Sequence, residues 1–247
     1  MLRNYIEAEH IKGKRSFSHF LIIIYPLLVT LLGIPFSIFI YSDTKYFVAL
    51  VYNWFPTMFL PLGLILASYL SVKREIDSSS SNYYPLLDKQ SFWKSKIIVL
   101  SIYSLCLNLS LAIFTISFQL IMYQLSQVII LDVLFSSLIL WLSTLFIIPL
   151  TLLLSIYFTP FIGIIFNLTG LTMGIFFAMG SKWFLVPWSY GVRLITPIIK
   201  VNPNGTFLQN SSSLNTFVYL PFGVGIAIII YLILTLFLVK IKKRQIE

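Results

Sequence analysis

Residues 133–181 contain no Asp, Glu, Lys or Arg. Wound as helix at 1.5 Å per residue, a run of that length reaches roughly 74 Å, about two bilayer cores. Uncharged stretches also cover 20–42, 46–72, 97–131 and 201–239. A water-soluble domain needs charged faces to keep its elements dissolved and apart. Here charged residues are only 10% of the chain and hydrophobic residues 58%, against about 25% charged in ordinary globular domains. The expected fold is an all-α polytopic membrane protein.

Six transmembrane helices account for the uncharged runs, at about 18–41, 46–72, 97–123, 130–156, 161–180 and 217–239. The division between the fourth and fifth spans rests on Phe158-Thr159-Pro160, a turn signal. The first apolar run is longer than a secretory h-region and lacks a small-residue cleavage site, so it is expected to be retained as a span. The single cysteine, Cys106, falls in an apolar run and is expected to be a buried structural thiol.

The net charge of +9 is read as cytoplasmic Lys and Arg rather than as a nucleic-acid surface. With the N-terminus inside, one side holds Arg3, Lys12, Lys14, Arg15, Lys73, Arg74, Lys89, Lys94, Lys96, Lys240, Lys242, Lys243 and Arg244. The other side holds Lys45, Lys182, Arg193 and Lys200. That asymmetry predicts both termini cytoplasmic. The expected organisation is a cytoplasmic amphipathic segment over 1–17, a transmembrane domain over 18–239 and a basic cytoplasmic tail over 240–247. Loop 73–96 is then cytoplasmic and loop 181–216 outside. Segment 1–17 reads equally as an interfacial helix or as a solvated tail.

Several chemistries lack their residues. There is no G-x-x-x-x-G-K-[ST] phosphate loop, no G-x-S-x-G and no H-E-x-x-H. His10 and His19 precede or open the first span. Asp132 is the one ionisable residue expected inside a span, near its outer end, so a proton or ion relay lacks its usual parts. No catalytic residue and no metal-ligand set is assigned. If the protein moves a load, the energy is expected to come from a partner.

Two stripes and two loops remain. In span three, Ser101, Ser104, Asn108, Thr115 and Gln119, with Ala112, fall on one helical face. Hydrocarbon penalises such a face. It is read either as interhelical glue or as a substrate path, with Asn108, Thr115 and Gln119 the residues for a path. In span five, Gly163, Asn167, Gly170, Gly174 and Ala178 form a small-residue stripe; Gly163, Gly170 and Gly174 predict close helix packing. In the cytoplasmic loop, Tyr83, Tyr84, Leu86, Leu87, Phe92 and Trp93 make an apolar cluster. Either the membrane interface or a groove on a partner is expected to cover it. Ser91 is expected to cap the following helix. In the outer loop, Trp183, Trp188, Tyr190 and Arg193 precede the turn Asn202-Pro203-Asn204-Gly205. Residues 192–201 are too short to span, so a re-entrant or interfacial hairpin with an aromatic rim is expected. Such aromatics serve either as membrane anchors or as the first contact for an amphipathic peptide.

These segments in order resemble ABC-2-type permeases, and more closely the permease subunits of lantibiotic self-protection (immunity) transporters. The likeness is carried by Glu9-x-x-Lys12-x-Lys14-Arg15, by Tyr52-Asn53-Trp54-Phe55-Pro56 leading to Leu60-Pro61-Leu62-Gly63, and by Ser91-Phe92-Trp93-Lys94-Ser95-Lys96. It continues in Val186-Pro187-Trp188-Ser189-Tyr190 with Arg193, Pro197, Pro203, Asn204 and Gly205. The resemblance implies an ABC-2-type permease architecture in the cell membrane of a Gram-positive bacterium. It implies a heteromeric exporter in which this chain, without a cofactor of its own, pairs with a sister permease. Two copies of a separate ABC ATPase subunit would bind ATP and Mg²⁺ and would dock on the cluster Tyr83, Tyr84, Leu86, Leu87, Phe92 and Trp93. The implied load is a cationic peptide, and nucleic acid is not a partner. Two alternatives stay open: a permease of the same architecture for a lipid-linked glycan or a drug, and a non-transporting membrane immunity or sensor protein.

Overall fold

A computed structural model describes residues 1–14, 16–39, 44–77, 88–123, 128–158 and 160–240. Ten α-helices are present among them: α1 (Leu2–Lys14), α2 (Phe17–Phe39), α3 (Thr44–Trp54), α4 (Leu60–Asp77), α5 (Lys89–Met122), α6 (Ile130–Thr144), α7 (Ile147–Tyr157), α8 (Pro160–Ala178), α9 (Tyr190–Ile199) and α10 (Tyr219–Lys240). Six helical segments are long and apolar enough to cross a membrane, with α3–α4 and α6–α7 each counting as one. They coincide with the six stretches expected from the uncharged runs.

Proline accounts for both interruptions. A π-helical turn, Phe55–Phe59, joins α3 to α4. Pro56 has no N–H to donate and its ring crowds the preceding turn, and a wider turn relieves both problems. In the fourth span, Pro149 cannot bond the carbonyl four residues back, at Leu145. That carbonyl instead accepts from Ile148 N at 3.1 Å, and the helix breaks between Thr144 and Ile147. The span expected to be one helix is therefore two stacked helices. α7 ends at Tyr157 and α8 begins at Pro160, on either side of the turn signal.

The third span starts earlier than its apolar run. With 34 residues, α5 is about 51 Å long, well beyond one hydrocarbon core. Asp88, not Ser91, caps it: Asp88 Oδ1 accepts from Gln90 N at 3.2 Å, and the Ser91 hydroxyl donates to Asp88 Oδ2. The Ser91 hydrogen bond holds the Asp88 carboxyl below its ordinary pKa.

The second, third and fourth spans form the centre, and α2, α8 and α10 lie outside them. In the fourth span 67% of the apolar window is buried, against 17% in α10. The polarity is inverted relative to a water-soluble domain. Exposed positions include Phe20, Leu31, Ile113, Phe176, Ile229 and Phe237, whereas Ser68, Asn108, Thr115, Gln119, Ser136 and Asn167 are buried. A soluble protein hides the first set and shows the second. Cys106 is exposed on the outer face of α5, which corrects the expectation of a buried thiol.

Candidate functional site

Two buried constellations stand at opposite ends of the bundle. The first joins α1 to the end of α4 and the beginning of α5. Lys96 is fully buried, and its Nζ lies 2.9 Å from both Glu9 Oε2 and Glu75 Oε1. It also donates to Ser71 Oγ at 3.3 Å, and the Ser71 hydroxyl donates to Glu9 Oε1 at 3.1 Å. Arg74 reaches Glu9 Oε1 through Nη2 at 3.4 Å and the Lys12 carbonyl through Nη1 at 2.9 Å. Lys12 Nζ closes the network on Glu75 Oε1 at 2.9 Å. The aromatic partners are local: Tyr5 Oη accepts from Asp88 N at 2.9 Å, and Tyr103 Oη shares a hydrogen bond with His10 Nδ1 at 3.2 Å. Buried charges persist when their desolvation is offset by several partners, and Lys96 has three.

This network stands just beyond the expected second and third spans, 46–72 and 97–123. Asp132 is exposed, while Glu75 and Lys96 lie in α4 and α5, which run on past those bounds. The missed signal was available: Glu9 is one of two acids, with Glu7, in an otherwise basic segment, and Arg74-Glu75 and Lys96 flank the same loop. What the sequence could not supply was the pairing of charges 87 residues apart.

The second constellation is the segment after α8. Two 3₁₀ turns, Trp183–Leu185 and Pro187–Ser189, lead into α9, all ten of whose residues are buried. The Trp188 indole N–H donates to Asn167 Oδ1 at 3.2 Å. Asn167 lies 11 residues before Ala178, the end of α8, or about 16 Å along the helix axis. The Trp188 backbone lies level with Gly174, four residues or about 6 Å before that end, and only the indole reaches on to Asn167; the chain therefore dips back along α8 to Trp188, and α9 climbs back. At the bottom, Gly191 faces Thr144 and Pro56, with an added Cβ 3.3 Å and 3.8 Å from them. Lys200 closes α9 in the left-handed conformation, φ 60°. The turn that follows is clasped by the second span: Asn53 Nδ2 donates to the Asn202 and Pro203 carbonyls at 3.4 Å and 3.2 Å. A re-entrant hairpin is thus built into the bundle, and the motifs around Asn53 and Gly205 are in contact.

The aromatics of this hairpin do not form an exposed rim. Trp183 and Tyr190 are 3% and 1% exposed. Tyr190 Oη donates to the Phe184 carbonyl at 2.6 Å. Trp188 is half-buried between Phe146 and Phe166, with ring centroids 5.7 Å away in each case. Arg193 is buried, donates from Nη1 to the Ala178 carbonyl at 3.1 Å, and lies 5.8 Å from the Trp183 ring. These residues hold the hairpin before they can meet a ligand.

The small-residue stripe of α8 is the socket for Trp188. An added Cβ at Gly170 would overlap the indole, and one at Gly174 would lie 2.7 Å from the Trp188 backbone. Gly163 instead meets α7, with Ser155 Oγ 3.4 Å from an added Cβ. Close approach is as expected, although at Gly170 and Gly174 the guest is a tryptophan turn rather than a transmembrane helix.

The polar stripe of α5 faces inward. Ser104, Asn108, Thr115 and Gln119 are buried. Asn108 Nδ2 donates to the Ser104 carbonyl at 2.9 Å, and Gln119 Oε1 accepts from Ile129 N at 3.2 Å. Trp141 Nε1 reaches the Ser101 carbonyl at 3.1 Å, and Ser101 pairs with Tyr231. Ser101 and Gln119 thus join α5 to other segments, while Asn108 bonds within its own helix. Asn108 Oδ1 and the hydroxyls of Ser104 and Thr115 have no partner, leaving open acceptors along the face.

Of the expected docking cluster, Tyr83, Tyr84, Leu86 and Leu87 lie outside the described residues. Phe92 and Trp93 are 6% and 4% exposed. The two side chains belong to the core under α1 and are not an exposed docking surface. Phe92 packs beneath the Lys96 ammonium at 4.8 Å. Among the described residues no group of three or more His, Cys, Asp or Glu side chains could hold a metal ion.

A cavity of about 620 Å³ opens between the end of α8 and the start of α10, with Trp183, Arg193, Ser213, Tyr219 and Phe222 in its wall. No protein-family model, curated protein or solved structure matches the chain.

Proposed function

We propose that this chain is the membrane-spanning permease subunit of an ABC exporter. The exporter removes a lantibiotic, a cationic amphipathic peptide, from the producer's cell membrane. It works with a sister permease and with two copies of a separate ATPase subunit, which hold ATP and Mg²⁺. Both termini and the α1 end face the cytoplasm in this reading, and the α9 end faces out. The architecture is of the ABC-2 type.

The observation that carries this reading is the ion network of Glu9, Arg74, Glu75 and Lys96. It ties α1, α4 and α5 into one body at the end where the basic residues collect. A permease without a nucleotide site needs a face on which an external motor can push. α1 lies on that face, beside the end of α4 at Asp77 and the start of α5 at Lys89, two helices fixed by the same charges. A push there reaches the second and third spans through buried pairs rather than through a slack linker. Phe92 and Trp93 transmit the load from inside the core, and 83–87 is left to make the contact.

The test is deletion of the gene in the native host, followed by challenge with a panel of lantibiotics. The expected result is lower tolerance to at least one of them, with more of that peptide recovered from cells and less from medium. Reintroduction with Leu86→Asp and Leu87→Asp should restore the chain to the membrane but not the tolerance. Unchanged tolerance to every peptide after deletion sinks the proposal.

A further inference from the structure

Arg193 is one of two cations buried among the described residues, and the pair differ in one respect. Lys96 has two carboxylates. Arg193 forms no ion pair among the described residues; its contacts are the Ala178 carbonyl and the Trp183 ring. A guanidinium has five donors, and a charge held away from water without a counter-ion is costly. Arg193 also lines the 620 Å³ cavity, a size that suits small-ligand sites of about 300–1,000 Å³.

The wall of that cavity is divided. Ser181 and Ser213 stand with Arg193, while Met179, Val218 and Phe222 supply apolar surface. The apolar side continues outward: Met179 just after α8, Val218 just before α10 and Phe222 in the first turn of α10 are 46%, 75% and 53% exposed. A ligand that satisfies both parts has an anionic head and a hydrocarbon tail. A polar anion would leave the apolar wall wet, and a neutral lipid would leave the guanidinium unpaired.

We propose that this cavity binds one anionic phospholipid from the surrounding bilayer. Its phosphate takes the free donors of Arg193, with Ser181 and Ser213 beside it, and an acyl chain lies against Phe222 and Val218. Arginine suits this role because its fork bonds two phosphate oxygens at once. The bound lipid gives Arg193 the counter-charge that the protein lacks. It also fills the gap between α8 and α10, two peripheral helices whose positions then depend on membrane composition. The inference does not depend on which load the protein carries.

The experiment uses the full chain, purified in detergent and titrated with phosphatidylglycerol or phosphatidylcholine, with bound lipids counted by native mass spectrometry. One phosphatidylglycerol should be retained after extended washing, and no phosphatidylcholine. Arg193→Gln keeps a donor for the Ala178 carbonyl and should weaken retention about tenfold, the scale of one charge-assisted hydrogen bond. Ser213→Trp fills the cavity from an exposed position without touching Arg193, and should also abolish the tightly held lipid. Equal retention of the two lipids, or retention unchanged in both variants, overturns the proposal. So does displacement of the lipid by millimolar inorganic phosphate, which would assign the site to a free anion.

Discussion

Lys96 and Trp188 are the two residues on which most of the interior geometry hangs, and each makes a measurable claim. Lys96→Met leaves Glu9 and Glu75 facing one another with only Arg74 and Lys12 to offset them. Removing one partner of a buried pair costs about 3–5 kcal/mol. The expected result is a protein that unfolds at markedly lower temperature in detergent. Adding Glu9→Gln to that variant should recover part of the loss, because the remaining charges then balance better. A double variant no more stable than Lys96→Met alone would show that the network is not coupled. For Trp188 the socket can be tested directly. Gly170→Ala places a methyl group inside the indole and is expected to cost about 1–3 kcal/mol, the usual scale of overpacking. Gly225 has nothing within 4 Å of an added Cβ, so Gly225→Ala should leave the melting temperature unchanged or raise it. Equal effects at the two glycines would refute the socket.

At the scale of elements, the hairpin and the start of α5 behave as separate units. The turn after α9 is held through Asn53. Asn53→Ala removes hydrogen bonds worth about 1 kcal/mol each in net terms. Amide exchange at Gly205 and Leu208, both hydrogen-bonded within the turn, should then speed up about fivefold or more, while α9 stays protected. Loss of protection along α9 as well would mean that the clasp supports the whole hairpin. The first turn of α5 depends on the Asp88 carboxylate. Because its hydrogen bonds lower the folded-state pKa, the stabilisation is present above the ordinary Asp value. It is lost as pH falls through the depressed value. Hydrogen exchange at Gln90 and Ser91 should rise on acidification in that window, and Asp88→Ala should remove the pH dependence.

For the whole molecule, charge sets the expected orientation. The proposed topology puts segment 78–87 in the cytoplasm and the segment between α9 and α10 outside. In a Cys106→Ala background, which removes the exposed thiol of α5, single cysteines at Ser78 and Ser211 separate the two sides. An impermeant thiol reagent on intact cells should label Ser211→Cys and spare Ser78→Cys until the membrane is opened. The reverse pattern would invert the molecule and with it the assignment of the α1 end to a cytoplasmic motor.

The number of spans was legible because hydrocarbon tolerates so few charges that their absence over twenty or so residues leaves one reading. The inward face of Asn108, Thr115 and Gln119 was legible for a related reason: helical periodicity is a local property, and a polar face has one favourable direction in lipid. The re-entrant segment was legible from the length of 192–201 and the turn at Asn202-Pro203-Asn204-Gly205. The depth of Trp188 was not, because it depends on a cavity made by Gly170 and Gly174 on another helix. Nor was the burial of Lys96, which by position alone is one more basic residue at a membrane edge. Its environment depends on α1 folding back across α4 and α5 to bring Glu9 within 2.9 Å. Spans follow from the solvent that each residue prefers, whereas sites follow from which distant residues share a volume, and only the packed chain decides that.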